Sequence, residues 1–366
     1  MKIAMLTPSF RPCGPNNVVR TLISYLKPHQ VGWFSLTCAE QYPAEYDAQV
    51  LHCSSKTSRM KTWLSSVDHF GGAMRRFSPD IIIAHGLRPT IVATGYGFPT
   101  MAVVHSEVPD DFSYQYGKLI GKPGWSIYRH HLKKFDAVVG VSENVTRVLR
   151  ANKLSGITIM NPVDTTWWRP PTAEERARAK LSLGNLASPV FLVSGSLIRR
   201  KNPVQALDAA IMAADNRPAT IIFAGAGPLA GELTRAARAA PPGVTVKLIG
   251  QQGNMREILW ASDLLISMSR SEGAPLAVLE ALSTGLPVLA SNIAAHRNVR
   301  EQLPRGAITL KAYGESSQDI IKAVKNLMSM PRVSWIVDSA YDARLVSRRY
   351  LEVIEETIQI ARKVAV

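Results

Sequence analysis

Glu272 and Glu280 stand eight residues apart in SRSEGAPLAVLEALSTGLPVLAS (269–291), the stretch of this chain richest in chemistry. Glu272 falls on a Gly/Pro turn and Glu280 inside a short helix. Pro275 suits a first helical position, where no amide hydrogen bond is lost. Gly285 suits a left-handed cap, and Pro287 stops the helix from continuing. Amides and a positive dipole end therefore gather at Gly273, Ala274, Pro275, Leu276 and Ala277, where a diphosphate could sit. The flanking carboxylates suit sugar and ribose hydroxyls rather than phosphate. Glu280 has Ala277, Val278, Leu279, Ala281 and Leu282 around it, an apolar setting in which a charge requires a partner.

A second group lies in GSLIRRKNPVQAL. Arg199, Arg200 and Lys201 follow an apolar strand and precede a helix that Pro203 opens. They read either as a surface cluster or as cations that hold a diphosphate, and their place between strand and helix favours the second. In PSFRPCGPNNVVRTL, Gly14 would let backbone approach a phosphate closely, ahead of a helix starting near Asn16 or Asn17; an ordinary turn is the alternative. No G-x-G-x-x-G follows that first strand, which argues against a nicotinamide or flavin cofactor. His105 ends a strand, VVH, and reads either as structural or as a contact to a sugar hydroxyl or leaving group; His85 ends another.

The elements that must position these residues come in two series. Short apolar strands are expected at 3–7, 31–36, 80–84, 100–104, 137–141 and 157–160, with helices such as 18–26 and 61–76 between them. A second series runs 190–193, 220–224, 244–249, 264–267, 287–290 and 307–310. Such alternation predicts parallel sheets covered on both faces, in two doubly wound domains. The boundary falls in the Pro-rich and charged stretch at 165–185. Ligands of such sheets bind at the carboxyl ends of the strands, and the candidate residues follow strands.

The 366 residues suit two domains of roughly 150–180 residues each. No apolar run reaches the ~18–20 residues of a membrane span, and the N-terminal apolar stretch is too short for a signal peptide. Cys13, Cys38 and Cys53 have no metal-ligand spacing and suit reduced thiols in a cytoplasm. The net charge of +15 asks for an anionic partner. Lys118–Lys134 interleaves Lys118, Lys122, Arg129, Lys133 and Lys134 with Trp125, Ile127, Tyr128 and Leu132. It reads as an element for an anionic membrane surface, or as a solvated helix with a core face. No nucleic-acid motif accompanies the charge, and no Asp-x-Asp at a strand end implies a metal.

The chain resembles a retaining glycosyltransferase of family 4, with the GT-B fold of two Rossmann-like domains facing a cleft. The resemblance rests on the SEGAPLAVLEALSTGLPVLAS block, KFDAVVGVSENV, NPVD, AGAGPL and VVH, in the expected order. It implies an acceptor-side domain over 1–170, with a final helix at about 347–366 packing back on it, and a nucleotide-sugar domain over 171–346. It also implies transfer of a sugar from a nucleotide-diphosphate donor in cell-envelope polysaccharide synthesis. The net charge and the basic 118–134 stretch point to a glycan or lipid-linked acceptor at the inner membrane face, and with cations in place of an Asp-x-Asp no cofactor or metal is expected. By the same resemblance Glu280 holds the ribose and Glu272 the transferred sugar. Lys201 and Arg200 neutralise the diphosphate, Gly14 closes on the phosphates, His105 touches the sugar, and Gln251 and Gln252 frame the base. Ser196 stands where many relatives carry an arginine, and Asn298 where they often carry a glutamate. A 2-epimerase of the same fold and a non-catalytic binding protein are the alternative functions.

Overall fold

A computed structural model describes residues 1–11, 13–37, 48–50, 69–106, 108, 110–184, 186–303, 306–311 and 314–364. Cys38, Cys53 and the first half of the helix expected at 61–76 lie outside them. The chain divides into two compact units, Met1–Pro162 with Ala343–Val366, and Val163–Asp342. The divisions therefore fall at 162/163 and 342/343, where sequence reasoning set 170/171 and 346/347.

Unit 1 runs β1 (Lys2–Thr7), α1 (Gly14–Tyr25), β2 (Gln30–Ser35), β3 (Ala48–Val50), α2 (69–77), β4 (Ile81–His85), α3 (Leu87–Val92), β5 (Thr100–Val104), α4 (Asp110–Leu132), β6 (Ala137–Gly140), α5 (Glu143–Ala151) and β7 (Ile157–Thr158). Its seven strands are ordered β3-β2-β1-β4-β5-β6-β7, all parallel. Unit 2 runs α6 (Ala173–Ser182), β8 (Val190–Ser194), α7 (Pro203–Ala214), β9 (Ala219–Ala224), α8 (Ala230–Ala237), β10 (Val244–Gly250), α9 (Met255–Ala261), β11 (Leu264–Ser267), α10 (Leu276–Ser283), β12 (Val288–Ser291), α11 (Ala294–Gln302), β13 (Ile308–Lys311) and α12 (Ser317–Met328). Its parallel order is β10-β9-β8-β11-β12-β13. The final helix, α13 (Ala343–Val364), belongs to unit 1. Every residue of β4, β5 and β9 is buried, as strands covered on both faces require.

Strand order reverses between β1 and β4 in unit 1, and between β8 and β11 in unit 2. These switch points are where a doubly wound sheet opens a crevice for a ligand.

Two local expectations change and one holds. α1 starts at Gly14 rather than near Asn16, because Pro15 occupies its first turn. Asn16 is turned inward instead, its Nδ2 donating to Ser9 O and Arg11 O at 2.6 and 2.7 Å. Pro275 is the residue before α10 and not its first helical residue. Gly285 does end α10 with positive φ; its N–H reaches Leu282 O and that of Leu286 reaches Ala281 O, a Schellman closure.

Candidate functional site

The loops after β8 and β11 flank the switch point of unit 2, and they meet through charge. Glu272, only 4% exposed, accepts from Lys201 Nζ on Oε1 and from Arg200 Nη1 on Oε2 at 3.1 Å. Ser269 Oγ donates to Oε1 at 2.6 Å. Arg200 Nη1 also donates to Ser271 O at 2.8 Å, and Arg270 N to Arg200 O at 2.8 Å, so the two loops are tied by backbone as well. Burial alone would raise the Glu272 pKa. Lys201, Arg200 and the Ser269 hydroxyl outweigh it and hold the carboxyl at about 2.

A second layer supports this cluster. Ser291 Oγ, at the end of β12, donates to Ser269 O at 2.6 Å. His296 on α11 is fully buried and donates from Nδ1 to Ser291 O at 2.8 Å. Burial lowers its pKa despite the nearby Glu272 charge, so the imidazole is neutral. Sequence reasoning missed Ser269, Ser291 and His296 as supports. The Ser269/Glu272 spacing of three was the available signal, since it is the spacing of a capping box.

The cation loop is shaped by glycines. A Cβ at Gly225 would sit 1.9 Å from Gly195 O, and one at Gly227 would sit 2.4 Å from Leu197 O. Gly195 N and Leu197 N donate to Ala224 O and Ala226 O, each at 3.0 Å. The AGAGPL segment thus acts by letting two backbones touch, which sets the turn that leads to Arg200 and Lys201.

Other expected residues fall out as follows. The amides at 273–277 are fewer than expected: Pro275 has no N–H, and that of Leu276 is taken by Ala274 O at 3.0 Å. Gly273, Ala274 and Ala277 carry the other N–H groups of this stretch. Arg199 and Ser196 are exposed, and Arg199 takes no part in the Glu272 cluster. Glu280 is half-buried on α10; Gln251 is exposed and Gln252 half-buried after β10. Gly14 and His105 belong to unit 1, Gly14 opening α1 and His105 following β5 beside His85.

Of the two readings of the basic stretch 118–134, the helix with a core face is present; the Lys118 side chain lies outside the described residues. Trp125 (8% exposed), Tyr128 and Leu132 face the core, with Tyr128 stacked on Phe112 at 6.0 Å. Lys122, Ile127, His130, Lys133 and Lys134 are the exposed set. The same spacing serves a core face as readily as a membrane face, so interleaved aromatics did not discriminate. Gly117, at φ 76°, breaks α4 into two arms. Among the described residues no helix is long and apolar enough to cross a membrane.

Two doubly wound parallel sheets with these strand orders are the GT-B class of α/β fold. The chain is similar over nearly its whole length to solved structures of that class. One is Anabaena HepE in complex with UDP and glucose, at a TM-score of 0.75 and 17% identity, covering 97% of this chain and 99% of that one. Another is WaaG, a glycosyltransferase involved in lipopolysaccharide biosynthesis, at 0.69 and 13%, covering 98% and 99%. Residues 13–167 match the family model for Glycosyltransferase Family 4, and 175–337 that for Glycosyl transferases group 1. The chain belongs to these glycosyltransferases. Among curated relatives it is 27% identical to the sulfoquinovosyl transferase SQD2 of Arabidopsis thaliana, over 76% of this chain and 56% of that protein. It is 28% identical to the lipopolysaccharide core mannosyltransferase LpsB of Rhizobium meliloti, over 47% and 49%. It is 32% identical to the Escherichia coli UDP-Gal:alpha-D-GlcNAc-diphosphoundecaprenol alpha-1,3-galactosyltransferase, over 37% and 36%. The matches thus span about half, or less, of these relatives' lengths.

Proposed function

We propose that the chain is a retaining glycosyltransferase that moves a sugar from a nucleoside-diphosphate sugar to a glycan or lipid-linked acceptor in cell-envelope polysaccharide synthesis. The observation that carries the proposal is the buried Glu272 held by Lys201 and Arg200 at the switch point of unit 2. The transfer breaks a C–O bond and leaves negative charge on a diphosphate. Two preorganised cations, with the amides of Gly273, Ala274 and Ala277, stabilise that charge as it develops, the arrangement that lowers such a barrier most. Glu272 keeps lone pairs for sugar hydroxyls, and Glu280 serves the ribose. Gln251 and Gln252 meet the base, while Ser196 lines the donor loop. In unit 1 the reading gives Gly14 to the phosphates and His105 to a sugar hydroxyl. Retention follows if the acceptor attacks from the face the diphosphate leaves, with a phosphate oxygen taking the acceptor's proton.

The names of the relatives support the acceptor class: one acts in lipopolysaccharide core synthesis and one on a diphosphoundecaprenol-linked sugar. Cytoplasmic placement at the inner membrane face is part of the same reading, with Lys122, Lys133 and Lys134 meeting anionic headgroups around Ile127. The deciding experiment is transfer from a panel of nucleotide-sugars to lipid-linked acceptors on anionic vesicles, with and without a chelator. Glu272→Ala and Lys201→Ala are each expected to stay folded and lose transfer, and the wild type to keep it in chelator. Full transfer by both variants overturns the assignment.

A further inference from the structure

Two histidines close neighbouring strands of unit 1. His85 is the last residue of β4, and His105 directly follows β5. These strands run parallel with His85 opposite Val103, which brings the imidazoles together. His85 Nδ1 lies 2.9 Å from His105 Nε2, with ring centroids 5.2 Å apart and planes 28° from parallel. Their surroundings differ. His85 is 0% exposed, and its Nε2 is buried with no hydrogen-bond partner among the described residues. His105 is half-buried, and its Nδ1 points away from the pair.

A contact of this length between two imidazoles needs one proton between them, and there are two ways to supply it. In the first, His85 donates from Nδ1, its Nε2 is a bare lone pair, and His105 carries its own proton on Nδ1. In the second, His105 donates from Nε2, and His85 must carry its proton on the buried Nε2 with no acceptor. A buried donor without an acceptor is the rarer and costlier defect, so the first arrangement wins. Burial also pushes both imidazoles well below their usual range, His105 to about 3, so both rings are neutral near pH 7.

We propose that His85 is a positioning residue that locks His105 in the tautomer protonated on Nδ1, so that His105 offers a substrate oxygen a hydrogen-bond donor. The substrate part rests on the reading that His105 meets a hydroxyl of the transferred sugar. In this state His105 is neither a general base through Nδ1 nor a cation for phosphate. It selects a ligand with an acceptor oxygen at that point, and a deoxy position there binds less well.

Ring-nitrogen NMR of the full chain near pH 7.5 tests the lock, with His105→Gln assigning the signals. The expected result is His105 with a proton on Nδ1 and a bare Nε2. In His85→Leu the proton moves to Nε2, the tautomer that imidazole side chains favour in water. In His85→Asn, whose amide places a donor near the original Nδ1, it stays on Nδ1. A proton on Nε2 in the wild-type protein overturns the proposal, and so does an unchanged tautomer in His85→Leu. The wild-type spectrum decides even if His85→Leu does not fold. Titration calorimetry with UDP and UDP-glucose separates the substrate part. His85→Leu is expected to weaken UDP-glucose about tenfold, the worth of one hydrogen bond, while UDP is unchanged and His85→Asn restores UDP-glucose binding. A confirmed lock with UDP and UDP-glucose affected alike upholds the tautomer and removes the sugar contact.

Discussion

Two buried polar clusters stand at carboxyl ends of strands, one in each unit, and they settle into opposite charge states. In unit 1 the imidazoles of His85 and His105 have each other, and burial holds them neutral. In unit 2 the Glu272 carboxylate is as deeply placed but ionised, because Lys201, Arg200 and Ser269 bond to it. Burial always favours the neutral form, so a buried charge survives only where fixed partners outweigh desolvation. The comparison separates two jobs. A neutral pair orients a ligand by the direction of its proton, whereas a preformed ion cluster can exchange partners with an anion and stabilise charge that appears during a reaction.

The comparison is broken most sharply by taking a cation from Glu272. Lys201→Met leaves the carboxylate with Arg200 and a hydroxyl. Removing one partner of a buried pair costs about 3 kcal/mol or more of stability, and removing a group that meets developing charge costs ~10²–10³-fold in rate. Urea unfolding and transfer assays measure the two effects. Adding Glu272→Gln to Lys201→Met is expected to restore part of the stability and none of the activity. Additive stability losses would mean that the pair is not coupled and that the contrast between the units is not one of partners.

Acid sharpens the same contrast, because the two clusters respond in different pH windows. His85 and His105 have folded pKa values below the usual 6.5. The unfolded chain therefore binds their protons first, and stability is lost as pH falls below 6.5. Each imidazole contributes up to ~1.4 kcal/mol per pH unit in that range. His296 in unit 2 behaves likewise. Glu272 has a folded pKa of about 2 against 4.5, so its contribution is intact above pH 4.5 and lost between there and 2. Urea midpoints between pH 7 and 5 should fall in the wild type, fall less in His85→Asn and in His296→Asn, and fall no less in Glu272→Gln, whose lost charge lowers the His296 pKa further. A slope in that range that needs Glu272 would place the carboxylate's pKa far above the value its cations impose.

How much of this was readable in the chain follows from the range of the interactions. Twelve of the described strands were legible as short apolar runs, most of them because parallel strands buried on both faces read that way, while the sheet-edge β7 and β10 are only partly buried. β3 was not, being three residues, AQV, with no pattern. Glu272, Arg200 and Lys201 were singled out one by one from their places after strands. Their mutual pairing was not, since it joins positions 71 and 72 residues apart, and a charge in a sequence does not reveal which charge it faces. His85 and His105 were noticed as strand ends, but their contact depends on the register of β4 against β5. The apolar spacing at 125, 128 and 132 was seen and left open between a core face and a membrane face, because periodicity marks a stripe without saying what covers it. The glycines of AGAGPL were taken for a family signature, and the reason for them, backbone touching backbone at Gly195 and Leu197, exists only in three dimensions.

The smallest expected effect tests whether the ion cluster is held in place from behind. Ser269 Oγ donates to Glu272 Oε1, and Ser269 O accepts from Ser291 Oγ. In Ser269→Ala, Oε1 keeps Lys201, so the carboxylate stays ionised and loses one neutral donor. A hydrogen bond to a charged group is worth about 1.5–3 kcal/mol, and the remaining cations can tighten, so the stability loss should sit near the low end, about 1–2 kcal/mol. The backbone carbonyl of residue 269 and its bond from Ser291 survive the substitution, so the loop should keep its position. Affinity for UDP should therefore change little, while affinity for a nucleotide-sugar, which needs Glu272 aimed at hydroxyls, should fall several-fold. Ser291→Ala cuts the other link, releasing the loop and sparing the carboxylate, so UDP and UDP-sugar should weaken together. Identical behaviour of the two variants would mean that the serines merely fill space, and that the cations alone orient Glu272.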